Sequence, residues 1–246
     1  FFMRCHGKKF IMFVRPGLFV FVLIAAVSTA ISQESKTDRS KFEDKFGTTA
    51  IFDGKSLEGW KVIDQFVFKR HGKVSVKEGE MILEKGGAGT GIVWQGKMPR
   101  INYEIRLEAK RIEGSDFFCG LTFPVNDDYC TLILGGWGGG ATGLSNLDDF
   151  AAIENQTSNF VEFKNGQYYP IRLRVSGKKI EAWVADKKIV DVDHTEHRLS
   201  IWWEQEPARP LGIATWYTSA AFKKVELERL TSKGEATENE ATENKK

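Results

Sequence analysis

Phe117-Phe118-Cys119-Gly120-Leu121-Thr122-Phe123 and Tyr129-Cys130-Thr131-Leu132-Ile133-Leu134 are two short runs of aromatic, β-branched and aliphatic residues. Pro124 to Asp128 between them is turn chemistry, so the pair reads as a β-hairpin. Neither run alternates polar with apolar side chains. A strand apolar on both faces is covered on both sides, which places this hairpin near the middle of a sheet. It leads into Gly135-Gly136-Trp137-Gly138-Gly139-Gly140, too permissive for a strand and too apolar at Trp137 for a plain linker. The Gly/Trp loop is expected to border whatever site the fold carries.

Outward from the hairpin the strand signal continues. Ile101, Tyr103, Ile105 and Leu107 alternate with Asn102, Glu104, Arg106 and Glu108, the pattern of a half-buried strand. Tyr169, Ile171, Leu173 and Val175 repeat it, and Ser176-Gly177-Lys178 turns the chain into Ile180, Ala182 and Val184. Ala185-Asp186-Lys187 turns it again into Ile189, Val190 and Val192. Val74 to Leu83 forms a further hairpin about Lys77-Glu78-Gly79, and Leu211 to Tyr217 with Val225 and Leu227 completes the set. Many short strands punctuated by turns make an all-β sandwich or jelly roll. Helix is scarce: the best candidate is Ser145 to Asn155, with Ser145 as N-cap and Leu147, Phe150, Ala151 and Ile153 as an apolar face.

The chain has 246 residues, 41% hydrophobic and 28% charged, which suits one large all-β domain. Residues 1–30 read as a signal peptide: Arg15 precedes the apolar run Leu18 to Val27, and Ser28-Thr29-Ala30 offers small residues for cleavage. That run is about half the length a membrane span needs, so no membrane insertion of the mature chain is expected and the protein is read as exported. Residues 31–45 form a polar leader, 46–230 the sandwich, and 231–246 a low-complexity tail built on a repeated Glu-Ala-Thr-Glu-Asn. Without residues 1–30 the chain carries 31 basic against 33 acidic side chains. No basic field remains for a nucleic acid. Cys119 and Cys130 are the cysteines of the mature chain; a disulfide and two buried thiols are both open.

Phe52-Asp53-Gly54-Lys55-Ser56-Leu57-Glu58-Gly59-Trp60 is the most distinctive string. Physically it is a tight turn and an apolar anchor that closes one edge of the sandwich. It also resembles the opening signature of the 3-keto-disaccharide (3-keto-glucoside) hydrolase family, formerly a domain of unknown function. Val74 to Leu83, Tyr103 to Glu108, Tyr169 to Gly177 with Ile180 and Trp183, Leu211 to Ile213 and Phe222 to Val225 resemble later strands of that family, in order. The resemblance spans about residues 50–230. It implies a concanavalin-like jelly-roll fold whose concave face handles carbohydrate, with hydrolase or lyase/hydratase action on 3-keto-glucosides. The central hairpin departs from the family, whose Asn, Arg, Glu, Gln and Asp there are replaced by Phe118, Pro124, Cys130, Leu132 and Gly135. On this reading the hairpin is scaffold, and function moves outward to the Trp137 loop.

Glycosidic cleavage needs an acid and a base, usually carboxyls. Asp148, Asp149 and Glu154 after the Gly/Trp loop are the candidate catalytic acids, against the alternative of solvated or capping carboxylates. Indole stacks on the apolar C–H faces of sugars, so Trp137, Trp202 and Trp203, with Glu204, are the candidate substrate-binding residues. Trp94 and Trp216 read as core. Asp191-Val192-Asp193-His194-Thr195-Glu196-His197 has the residue types of a metal site, but His194 and His197 point apart in extended chain. No metal ligand is therefore assigned and no cofactor expected, with a divalent metal kept as an alternative. The partner expected is a carbohydrate. A non-catalytic carbohydrate-binding module and a structural domain of the cell envelope are the competing readings.

Overall fold

The computed structural model describes residues 48–231. The proposed signal peptide and leader, Cys5, and the tail beyond Thr231 lie outside the described residues. Fifteen strands follow one another among those described. They begin with β1 (Thr49–Ala50), β2 (Trp60–Val62), β3 (Val74–Lys77), β4 (Glu80–Leu83) and β5 (Gly89–Trp94). Next come β6 (Tyr103–Glu113), β7 (Cys119–Val125), β8 (Asp128–Gly136), β9 (Ala141–Ser145) and β10 (Asn159–Phe160). The last five are β11 (Tyr168–Val175), β12 (Lys179–Val184), β13 (Lys187–Asp193), β14 (Gly212–Trp216) and β15 (Ser219–Arg229).

They form two antiparallel sheets. One runs β13-β12-β11-β6-β15-β4-β3, with β1 paired to β15; the other runs β10-β9-β8-β7-β14-β5-β2. The two pack face to face as a concanavalin-like jelly-roll sandwich. The hairpin of β7 and β8 lies in the interior of the second sheet, between β9 and β14, as its doubly apolar faces require.

Register sorts those faces. Opposed residues of an antiparallel pair share a side. Cys119 faces Leu134, Leu121 faces Leu132 and Phe123 faces Cys130, and all six are fully buried in the core. From the first sheet Tyr103, Ile105, Leu107 and Ala109 of β6 meet them, and the Tyr103 hydroxyl crosses the sandwich to the Pro124 carbonyl at 2.5 Å. The other face of the hairpin carries Gly120 opposite Ile133 and Thr122 opposite Thr131. This pairing also decides the cysteine question. Cys119 and Cys130 are buried free thiols on one face, four residues apart along the strand direction, or roughly 13 Å. A disulfide needs Cα atoms within about 7 Å. Burial pushes both thiols up to about 12.

The edge string behaves as read. Asp53 Oδ1 accepts from the amides of Lys55 and Ser56, both at 2.8 Å. Trp60 opens the edge strand β2, and its indole N–H donates to the Ile51 carbonyl at 2.7 Å. One expected element is absent: Ser145 to Asn155 is not a helix. Ser145 ends β9, Asp148 and Asp149 sit at φ +54° and +69°, and Leu147 bridges to both Phe150 and Leu199. Two consecutive left-handed residues cannot continue a right-handed helix. Among the described residues no helix is long and apolar enough to cross a membrane.

Candidate functional site

The outer face of the hairpin is the floor of a cleft of about 260 Å³. Thr131 and Ile133 of β8 form that floor with Ser145 of β9. Asp116 and Phe117, just before β7, close one end beside Trp137 and Trp216. Trp202, Glu204 and Gln205 form the opposite wall. The hairpin, read from sequence as scaffold, thus also borders the cleft. Its inner face is core, while Thr131 and Ile133 on its outer face border the cleft.

Each wall is fixed by local chemistry. Trp137 sits in the β8–β9 turn at φ +47°, an outlier for a bulky residue. Gly138 and Gly139 follow at φ +95° and +109°, where only glycine is unstrained. A Cβ on Gly139 would also stand 2.8 Å from an Arg111 guanidinium nitrogen. Arg111 is the inward residue next after Ala109 on β6, and its guanidinium holds this loop. Nη1 donates to the Gly139 carbonyl at 3.1 Å, Nη2 to the Phe163 carbonyl at 2.6 Å, and Nε to Asn165 Oδ1 at 2.7 Å.

The far wall hangs on backbone pairing. The Asn146 amide donates to the Ser200 carbonyl at 2.7 Å and the Ser200 amide returns to Asn146 at 3.2 Å. The Trp202 indole N–H then donates to Ser145 Oγ at 3.1 Å, so Trp202 leans over the floor. Trp203, next in the chain, turns outward and meets Phe66 edge-on at 6.0 Å. It then opens the short 3-10 turn Trp203–Ala208, which carries Glu204 and Gln205.

Asp116 is the acid that sequence reading passed over. It is half-buried, and Oδ1 accepts the Phe117 amide at 2.7 Å, with the Trp137 amide as a second donor. Burial nevertheless raises its pKa above the usual 3.8, against those two amides. On the opposite wall Glu204 Oε2 is buried without a hydrogen-bond partner. A signal for Asp116 was present: a lone carboxyl placed directly before a doubly buried strand has nowhere to go but the strand's open end.

Of the residues singled out from sequence, Trp137, Trp202 and Glu204 line the cleft together. Trp216, read as core, is corrected: it is only partly buried, stacks on Phe117 at 6.1 Å and lines the cleft. Trp94 packs on Trp60 at 5.4 Å. Asp148, Asp149, Glu154 and Trp203 stand outside the lining. Asp148 Oδ1 accepts the Arg198 amide at 2.8 Å and Oδ2 bonds His197 Nδ1 at 2.6 Å. Asp149 pairs with the Arg198 guanidinium, and Glu154 accepts the Ala151 amide at 3.4 Å. The first two acids thus anchor the segment that delivers Trp202 and Glu204.

That role has a checkable consequence. The His197 hydrogen bond, then the Arg198 amide, holds the Asp148 carboxyl below its usual 3.8. The anchor is therefore intact above pH about 4 and is lost as pH falls through the lower folded-state value. Asp148→Asn is expected to weaken ligand binding at the cleft a few-fold, read by titration of tryptophan fluorescence.

The candidate metal segment does not assemble. His194 Nε2 bonds the Ser176 carbonyl at 3.1 Å, Asp193 caps Thr195, and Asp191 pairs with Lys179 and Lys188. Among the described residues no three His, Cys, Asp or Glu side chains converge as a ligand set.

Known proteins agree with this architecture. The Crh5 transglycosylase, without ligand, superposes with a TM-score of 0.51 at 10% identity, covering 77% of this chain and 85% of that one. The carbohydrate-binding module CBM66 from Bacillus subtilis gives a TM-score of 0.47 at 11% identity over 69% of this chain and 95% of that one. At such identity the first likeness speaks to the fold alone, and nothing is argued from the second. No curated protein matches the chain. A family model for the 3-keto-alpha-glucoside-1,2-lyase-like domain matches residues 47–228, which takes in nearly every strand described above. The chain belongs to the 3-keto-alpha-glucoside-1,2-lyase-like domain family.

Proposed function

We propose that this protein is exported and cleaves the glycosidic bond of a 3-keto-glucoside in the cleft between Asp116 and Glu204. The observation that carries the reading is the joint placement of these two carboxyls with Trp137, Trp202 and Trp216 in one cleft. Family membership supports the substrate class, and the apolar run Leu18 to Val27 before Ser28-Thr29-Ala30 supports export.

The chemistry follows from the substrate. In a 3-keto-glucoside the C2–H bond lies next to the C3 ketone and is acidified by it. A base that takes the C2 proton leaves an enolate, which expels the C1 oxygen and forms a C1–C2 double bond. A neighbouring acid must protonate the departing oxygen. Asp116, whose burial favours the protonated form, supplies that proton, and Glu204 is the base. The products are an unsaturated keto sugar and the free alcohol; water adding across the new double bond completes a net hydrolysis. The indoles hold the ring in place through its C–H faces.

The test is incubation of the purified protein with 3-keto-trehalose and aryl 3-keto-glucosides, following alcohol release and the ultraviolet absorbance of the enone. Release accompanied by transient enone absorbance is expected. Tryptophan quenching by sugars with no release would instead identify a carbohydrate-binding module, and silence in both assays would leave a structural domain.

A further inference from the structure

Gln205 is 4% exposed, lines the cleft, and its side-chain oxygen has no hydrogen-bond partner. The position is not slack. Its backbone amide donates to the Trp202 carbonyl at 2.8 Å, and Pro207 stiffens the same 3-10 turn. The neighbouring Glu204 Oε2 is equally buried and unpartnered. Two adjacent acceptors in one wall, with a donor for neither, leave a local deficit of hydrogen-bond donors. Buried acceptors are normally paired, and an orphan in a residue that lines a cleft marks a place for a donor brought by a ligand. The Trp202 indole N–H does not meet the need, being committed to Ser145 at 3.1 Å.

We propose that Gln205 is a specificity-determining residue whose amide oxygen accepts a hydroxyl hydrogen of the bound sugar, so that this wall reads an unoxidised, hydroxyl-bearing edge of the ring. A ketone oxygen is itself an acceptor and cannot pair with the amide oxygen. The oxidised C3 therefore points away from the Gln205 oxygen, and a C2, C4 or C6 hydroxyl meets it. This rests on the proposed function and adds the orientation of the substrate and the feature by which it is chosen. Sites built around a hydrogen bond discriminate strongly against ligands lacking the donor, because the buried partner is then left unpaired.

The experiment is calorimetric titration of the full chain with methyl 3-keto-α-glucoside and its 2-, 4- and 6-deoxy analogues, on the native protein and on Gln205→Met, both in an Asp116→Asn background so that turnover does not consume the sugar. Methionine keeps the length of the side chain and removes the acceptor, and a thermal melt checks that the variant folds. One deoxy analogue is expected to bind the native protein about tenfold more weakly than the parent. Gln205→Met is expected to lose about the same factor for the parent and to treat that analogue and the parent alike. If the native protein binds the whole deoxy series as tightly as the parent, no hydroxyl is read and the proposal falls, whatever the variant does. Undiminished discrimination in folded Gln205→Met also overturns it while leaving the cleft's function standing. Failure of the native protein to bind any of these sugars overturns both.

Discussion

Asp116→Asn is expected to lower turnover of a 3-keto-glucoside at least a hundredfold, the usual contribution of a positioned general acid. The amide can still accept the Phe117 and Trp137 amides, so the turn and the cleft should persist and sugar affinity should change little. The pH profile separates this role from a structural one. Burial raises the Asp116 pKa above its usual 3.8, so the active, protonated form is present at low pH and is lost as pH rises through the raised value. The native rate should fall on this alkaline limb. In Asp116→Asn the residual rate should have no such limb, since an amide does not titrate. A variant that kept the native rate and profile would remove Asp116 from the chemistry and leave Glu204 to be tested in the same way.

Arg111→Ala is expected to destabilise the protein by roughly 3 kcal/mol through three stranded acceptors. The guanidinium joins the Gly139 and Phe163 carbonyls to Asn165 Oδ1, and it lies over the Phe118 ring at 5.9 Å. Its removal opens a void between the sandwich and the loop that presents Trp137. Two effects are therefore expected together: a lower urea midpoint, and a loss of sugar-induced quenching at Trp137 in conditions where the fold is intact. Arg111→Lys should repair little of either, because one ammonium cannot reach three acceptors spread across a planar fork. An Arg111→Ala protein as stable as native, with quenching undiminished, would show that the loop is held by its glycines and backbone alone.

The proposed division of labour also explains which parts of this protein were legible from its residues. Strands β6, β11 and β12 announced themselves by strict alternation, and the Lys77-Glu78-Gly79 turn by its composition. The doubly apolar hairpin announced its interior place in a sheet. The string from Phe52 to Trp60 carried the family resemblance, and the family match over residues 47–228 agrees with it. Asp148 and Asp149 were legible as acids near the Gly/Trp loop but not as anchors of Arg198, which lies about fifty positions later in the chain. The supposed helix after Ser145 failed for a related reason: a short apolar face is the same list of residues whether they wind or bridge, and Leu199 decided for the bridge.

Sequence by itself determined the strands, the turns between them and the core-facing side of each, because side-chain alternation and turn chemistry act between residues a few positions apart. The cleft was decided by tertiary structure. Its walls come from Asp116, Thr131, Trp137, Ser145, the segment Trp202 to Gln205 and Trp216, which meet only because β7, β8, β9 and β14 lie side by side and the 3-10 turn folds over them. A side chain's surroundings, and with them the burial that raises the Asp116 pKa or strands the Gln205 oxygen, depend on which strands become neighbours. That sheet order is fixed by long-range packing, which no local pattern encodes.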